Sequence, residues 1–130
     1  MLKKLQIVGS NIVDIPTFYA EINRVFMADE GWALAESLDA LNDLLYGSYG
    51  SITGSEPVEL VWHDMETSRS ALGIETTRSF LMEKLQGPTL FNAQLIGGQL
   101  NALDRGTGNT YFETILEIIG DHHNITLVAA

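Results

Sequence analysis

Two aspartates four positions apart, Asp39 and Asp43, with Tyr46 a further three positions on, are the residues of this chain best spaced to do chemistry. At about 100° per residue all three fall on one side of a helix, while Leu38, Leu41 and Leu45 form a stripe on the other side with Leu44 beside it. A carboxylate pair at that spacing could hold Mg²⁺, divide acid and base roles, or present negative charge to something basic. The first two uses need a substrate cleft, and the sequence points to none. The third is favoured by what is missing: from Val25 to Ser68 there are nine carboxylates and not one Lys or Arg. So many uncompensated charges on one segment repel one another, and a positive partner relieves the cost. A merely solvated face is the plain alternative. It suits Asp39, because Ser37 can cap the helix and a first-turn carboxylate is favoured by the helix dipole. Asp43 sits a turn further on and has no such local use. Trp32, Asn42, Tyr46, Gly47 and Tyr49 are expected around the two aspartates as a recognition surface for a basic partner.

Other chemistry is absent from the pattern. Gly47, Gly50 and Gly54 are followed by no Gly-Lys-Ser/Thr and open no helix, so they do not form a phosphate loop. His63, His122 and His123 are too few and too scattered for a zinc motif and read as partly exposed loop or strand-end residues. No Ser-His-Asp arrangement can be built from His63 and Asp64. Neither catalysis nor a metal or cofactor is expected.

The aspartates must be positioned by the elements around them. Lys4 to Val8 reads as a strand, and Asp14 with Pro16 starts a helix carrying Phe18, Ile22 and Val25 on one stripe. A turn with Trp32 leads into the acidic helix, and a glycine-containing connection leads to a buried strand over 58–62. Asp64 to Leu72 reads as a short helix stopped by Gly73. Thr76 or Thr77 is placed to cap a helix through Leu85, closed by Gly87-Pro88. Residues 87–108 contain five glycines and read as a loop, a small hairpin or a lid. Thr110 to Glu113 is a capping box opening a helix with Phe112, Ile115, Leu116 and Ile119 inward, and 125–129 is a closing strand. Strands alternating with helices predict an α/β fold, a three-stranded parallel sheet packed by helices.

The composition sets the frame. A length of 130 residues predicts a single domain over 1–130. With 45% hydrophobic and 18% charged residues the chain is globular, and no stretch approaches the roughly 20 apolar residues of a membrane span. A net charge of −10 argues against direct nucleic-acid binding, since phosphates would be repelled. The N-terminus shows two lysines but only a short apolar run and no cleavage signal, so export is not expected. With no cysteine there are no disulfides or thiolate metal sites, which fits a reducing, cytoplasmic setting.

The run LDALNDLLYG from Leu38 to Gly47 resembles the second-helix signature of the barstar family of intracellular ribonuclease inhibitors, Asn-Leu-Asp-Ala-Leu-x-Asp-x-Leu-x-Gly. Val58 to Trp62 is similar to the family's apolar strand ending in tryptophan, and Asn124-Ile-Thr to its closing strand. The resemblance covers about 1–73 and 109–129, leaving about 74–108 as an insertion. It implies a barstar-like three-stranded parallel sheet, and a protein that plugs the active-site cleft of a small basic ribonuclease with carboxylates that mimic RNA phosphates. By that likeness Asp39 and Asp43 match the two helix aspartates, Gly47 the glycine after the helix, and Glu117 a peripheral acidic contact. The chain departs from the family where Trp32-Ala-Leu replaces a tyrosine pair and where Ser48 replaces a tryptophan, with aromatics instead at Tyr46 and Tyr49. The implied partner is a cationic, extracellular-type ribonuclease or a related toxin domain. The alternative is a non-catalytic structural or regulatory interaction module whose partner is not a nuclease, able to self-associate through the insertion.

Overall fold

Three short apolar runs, far apart in the chain, become neighbours in one sheet. In a computed structural model describing residues 2–86 and 93–130, β1 (Lys3–Val8), β2 (Val58–His63) and β3 (Ile125–Ala129) lie in the order β1-β2-β3, parallel throughout. Leu5 pairs with Leu60 and Leu60 with Leu127, while Ile7 pairs with Trp62. Parallel neighbours require crossovers. Here they run through six helices among the described residues: α1 (Ile15–Phe26), α2 (Leu38–Leu45), α3 (Met65–Ala71), α4 (Ile74–Gln86), α5 (Ala93–Asp104) and α6 (Tyr111–Gly120). The fold is α/β, as the alternation of elements predicts.

Period-2 burial along β2 decides which way the sheet faces. Val58, Leu60 and Trp62 are buried, while Glu59, Val61 and His63 alternate to the more open face. Trp62 stands at the centre, stacked on Phe18 of α1 at 6.2 Å between ring centroids and edge-on to Phe112 of α6 at 5.4 Å. Its indole N–H donates to Ser68 Oγ (2.9 Å), and that hydroxyl donates to the Gly9 carbonyl (3.2 Å), so the one polar atom of the ring is satisfied. Close approach of backbones explains Gly9. A Cβ there would lie 2.3 Å from the His63 carbonyl oxygen and 2.5 Å from that of Asp64.

Both long core helices start as their sequences predict. Asp14 and Thr17 form a reciprocal capping box with Pro16 in the first turn of α1, and Thr110 and Glu113 form one on α6. Helix α1 buries Phe18, Tyr19, Ile22 and Phe26, and α6 buries Phe112, Ile115 and Ile119. A hydroxyl–hydroxyl bond of 2.6 Å between buried Tyr19 and Tyr111 joins them. Glu21 is a charge hidden in this layer, 3% exposed. Its carboxylate accepts from the Val8 N–H (2.7 Å), the Asn11 amide (3.2 Å) and Arg24 Nη2 (2.6 Å) and Nε (2.9 Å). Burial pushes its pKa up, but those donors prevail and hold it below the usual glutamate value.

Residues 74–108 differ from expectation in two ways. Helix α4 begins at Ile74, directly after Gly73, and the threonines do not cap it: Thr76 Oγ1 donates to the Ala71 carbonyl and Thr77 Oγ1 to the Gly73 carbonyl. Residues 93–104, read as irregular, are helix α5. The Gly97-Gly98 pair disfavours a helix by about 1 kcal/mol per glycine relative to alanine. Ile96, Leu100 and Leu103, at i, i+4 and i+7, outweigh that by packing with Leu81 and Phe80 of α4 into a second, smaller cluster. The predicted Gly87-Pro88 stop lies outside the described residues. Tyr111 N–H donates to Thr77 Oγ1 at 2.7 Å and the Phe80 ring meets Tyr111 edge-on at 5.2 Å, which fastens α4 to α6. Among the described residues no helix is long and apolar enough to cross a membrane.

Candidate functional site

Helix α2 is built as its residues dictate. Ser37 Oγ accepts from the Ala40 N–H (3.1 Å), Leu41, Leu44 and Leu45 are buried, and Leu38 is half-buried. Asp39 and Asp43 are consequently turned outward and exposed. Among the described residues five cations are paired elsewhere: Lys3 with Glu56, Lys4 with Glu59, Arg24 with Glu21, Arg69 with Glu66, and Arg78 with Glu75 and Asp104. No ion pair there involves Asp39 or Asp43.

The helix stops at Gly47, whose φ of +83° is a left-handed conformation open to glycine, with its N–H bonded to the Leu44 carbonyl at 3.1 Å. Gly54 N–H returns to the Gly47 carbonyl at 2.8 Å, and a Cβ on Gly47 would sit 2.3 Å from the Gly54 carbonyl oxygen. Further on, Gly50 N–H donates to Glu30 (2.9 Å) and Ser51 N–H to the Phe26 carbonyl (2.8 Å). The glycine-containing connection is therefore stitched to the end of α1, which brings Tyr49 against Trp32 with ring centroids 5.0 Å apart. Trp32 is 50% exposed and Tyr46 62%. Burial pushes the Tyr49 phenol above the usual tyrosine value, and the negative charge of Asp43 pushes it the same way. Asp43, Tyr49 and Trp32 thus form one acidic and aromatic group.

On the other flank the structure corrects the sequence reading of His122. His122, expected as a partly exposed residue, is buried, 6% exposed. Asn42, expected among the partner-facing residues, is half-buried with its amide turned inward, its Oδ1 lying 2.8 Å from His122 Nε2. The Tyr46 ring meets the imidazole edge-on at 4.6 Å. Burial pulls the His122 pKa below the usual value, against a smaller upward pull from Asp121. The inward turn of Asn42 had a signal in the sequence: by helical rotation it stands next to Leu38 and Leu45, at the margin of the apolar stripe. Nothing near His122 in sequence announced its burial, which depends on α2 arriving from 80 residues away.

Glu117 is exposed on α6, the helix that packs beside α2, and its Oε1 accepts from Asn109 Nδ2 at 2.8 Å. No bond links it to either aspartate. Two clefts flank Phe80. One, of about 520 Å³, lies between the start of α1 and α4 and is lined by Asp14, Glu36, Glu75 and Glu83 with Ile15, Pro16 and Phe80. The other, of about 470 Å³, is lined by Leu38, Leu81, Lys84, Gln99 and Asn109 among others. Neither is lined by Asp39 or Asp43, which stand exposed on the outer side of α2. Among the described residues no group of three or more His, Asp or Glu is arranged to hold a metal ion. No family model matches the chain, and no curated protein matches it.

Proposed function

We propose that this chain is an immunity-type inhibitor of a small basic ribonuclease, acting in the cytoplasm by occlusion and charge mimicry. Helix α2 enters the enzyme's active-site cleft, and Asp39 and Asp43 take the places of RNA phosphates against its catalytic cations. The observation that carries this reading is the exposed aspartate pair without a cation, on a helix anchored at its start by Ser37 and at its end by Gly47. Support comes from the aromatic flank of Trp32 and Tyr49 and from the likeness of Leu38 to Gly47 to the barstar signature. The insertion extends the negative surface, adding Glu75 and Glu83 to the cleft that Glu36 borders. A related toxin domain with a basic cleft would be met in the same way. The test is RNA cleavage by a panel of small basic extracellular ribonucleases titrated with the purified chain. Stoichiometric inhibition that is lost in the Asp39→Ala/Asp43→Ala double variant supports the proposal; no inhibition of any panel member, or inhibition that survives the double substitution, overturns it.

A second reading has its own observation. Ile74, Met82 and Leu85 on α4 and Leu95 on α5 are large apolar side chains between 38% and 60% exposed, which suits self-association through the insertion in a structural or regulatory module. Sedimentation of the wild type and a Met82→Glu/Leu85→Glu variant separates the two: a dimer that the variant dissolves favours this reading.

A further inference from the structure

The seam between α2 and the turn after α6 has an unusual composition. Leu41, Leu44 and Leu45 under α2 belong to the apolar core, but beside them Asn42 and Tyr46 meet an imidazole. His122 is buried, its Nε2 is 2.8 Å from Asn42 Oδ1, and its ring meets Tyr46 edge-on at 4.6 Å. Its own backbone is held on both sides: its N–H donates to the Ile119 carbonyl (3.1 Å) and its carbonyl accepts from the Ile125 N–H (3.0 Å). The ring is therefore a fixed post between the end of α6 and the start of β3. Asn42 on α2 and Tyr46 at its C-terminal cap, which it meets, flank Asp43 on either side in sequence.

We infer that His122 is the positioning residue of the acidic face, and that its uncharged imidazole is the form that holds the last turn of α2, and with it Asp43, in place. The neutral ring satisfies Asn42 with one N–H and lies against Tyr46 without a buried charge. Protonation leaves the Nε2–H available to Asn42 but places a cation where little water reaches, and the charged group that acts on it is Asp121 from its own turn. Burial accordingly lowers the pKa of the docked ring below the usual value of about 6.5. The sign follows: between the two values the undocked ring binds more protons, so docking is strongest above pH of about 6.5 and weakens as the pH falls through that window. A cation behind Asp43 would also reduce the pull on a basic partner. That Asp43 is the residue needing support rests on the inhibitor reading, but the docking itself does not.

The test uses the free full-length chain and no partner, so its failure and the failure of ribonuclease inhibition are separate results. An NMR titration follows the imidazole resonances of His122, the ring of Tyr46 and the amide exchange of Asn42 to Tyr46. The expected result is a His122 midpoint below the ordinary one, with Tyr46 and the α2 amides moving at that same midpoint. His122→Gln, which keeps a side-chain N–H for Asn42 and cannot titrate, should hold the α2 amides protected and abolish their movement with pH. His122→Ala should lose protection of those amides by about tenfold, the worth of one net hydrogen bond. Should the alanine variant not fold, the wild type and the glutamine variant still decide. A His122 midpoint at or above the ordinary value, Tyr46 resonances indifferent to it, or an unchanged pH-dependent step in His122→Gln would each overturn the inference.

Discussion

Asp43 is the residue on which the functional proposal turns. It faces water in the free chain, but in a complex it would meet cations stripped of solvent, and removing one partner of such a pair leaves the other charge buried alone. Asp43→Ala should therefore weaken binding to the target ribonuclease by at least about 2 kcal/mol, mostly as faster dissociation. Glu117 stands apart on α6, so Glu117→Ala should cost less and act mainly on the association rate. Surface plasmon resonance on the two variants reads both rates, and an Asp43→Ala complex as long-lived as the wild type would contradict the mechanism. These magnitudes are those of charged interfaces in general, for which ribonuclease–inhibitor pairs are the standard example. A second test at this scale needs no partner. Because the Asp43 charge helps to hold the Tyr49 phenol above its ordinary pKa, Asp43→Asn should bring that ionisation down, toward the usual value. Phenolate absorbance in wild type, Asp43→Asn and Tyr49→Phe measures it; an Asp43→Asn curve that overlays the wild type would place the carboxylate too far from Tyr49 to matter.

At the level of elements, what was legible follows from local rules and what was hidden follows from long-range packing. The caps at Asp14, Ser37 and Thr110, the apolar strand from Val58 to Trp62, and the outward turn of Asp39 and Asp43 are each written within a few residues, and all are present. Helix α5 was not legible, because Gly97-Gly98 argues against a helix locally and the contacts that overrule them come from Leu81 and Phe80 on another helix. His122 escaped for the same reason, being a polar residue buried against Asn42 and Tyr46, which arrive from far along the chain. Helices α4 and α5 pack on each other: Leu81, Ile96 and Leu103 form their own cluster, apart from the core around Trp62. Replacing 87–108 by a short Gly-Ser bridge should then leave a cooperatively unfolding domain, less stable by a few kcal/mol because Leu81 loses the cover of α5. Chemical denaturation with two probes checks this. Non-coincident transitions, or no folded state, would show that α5 belongs to the main core.

For the whole molecule the net charge of −10 acts before any contact forms. On the proposed reading a cationic enzyme would be drawn in over distances that salt shortens, the screening length being about 10 Å at 0.1 M and about 3 Å at 1 M. Association with the target should slow steeply across that range while dissociation changes little, and stopped-flow mixing at several salt concentrations separates the two. Salt-independent association would remove steering from the mechanism.

The parallel register also governs how the chain reaches its structure. Every rung of both ladders joins residues more than fifty positions apart, and the central strand cannot gain its second neighbour until the last residues are in place. Helices α1 and α6 can begin from their own caps, but the sheet they cover must first close two long loops, an entropic barrier that local structure does not lower. Refolding from denaturant should accordingly take milliseconds to seconds, well behind a helical bundle of the same length. During that interval the apolar edges of the unpaired strands stay open to one another in neighbouring chains. Refolding yield should therefore fall as protein concentration rises.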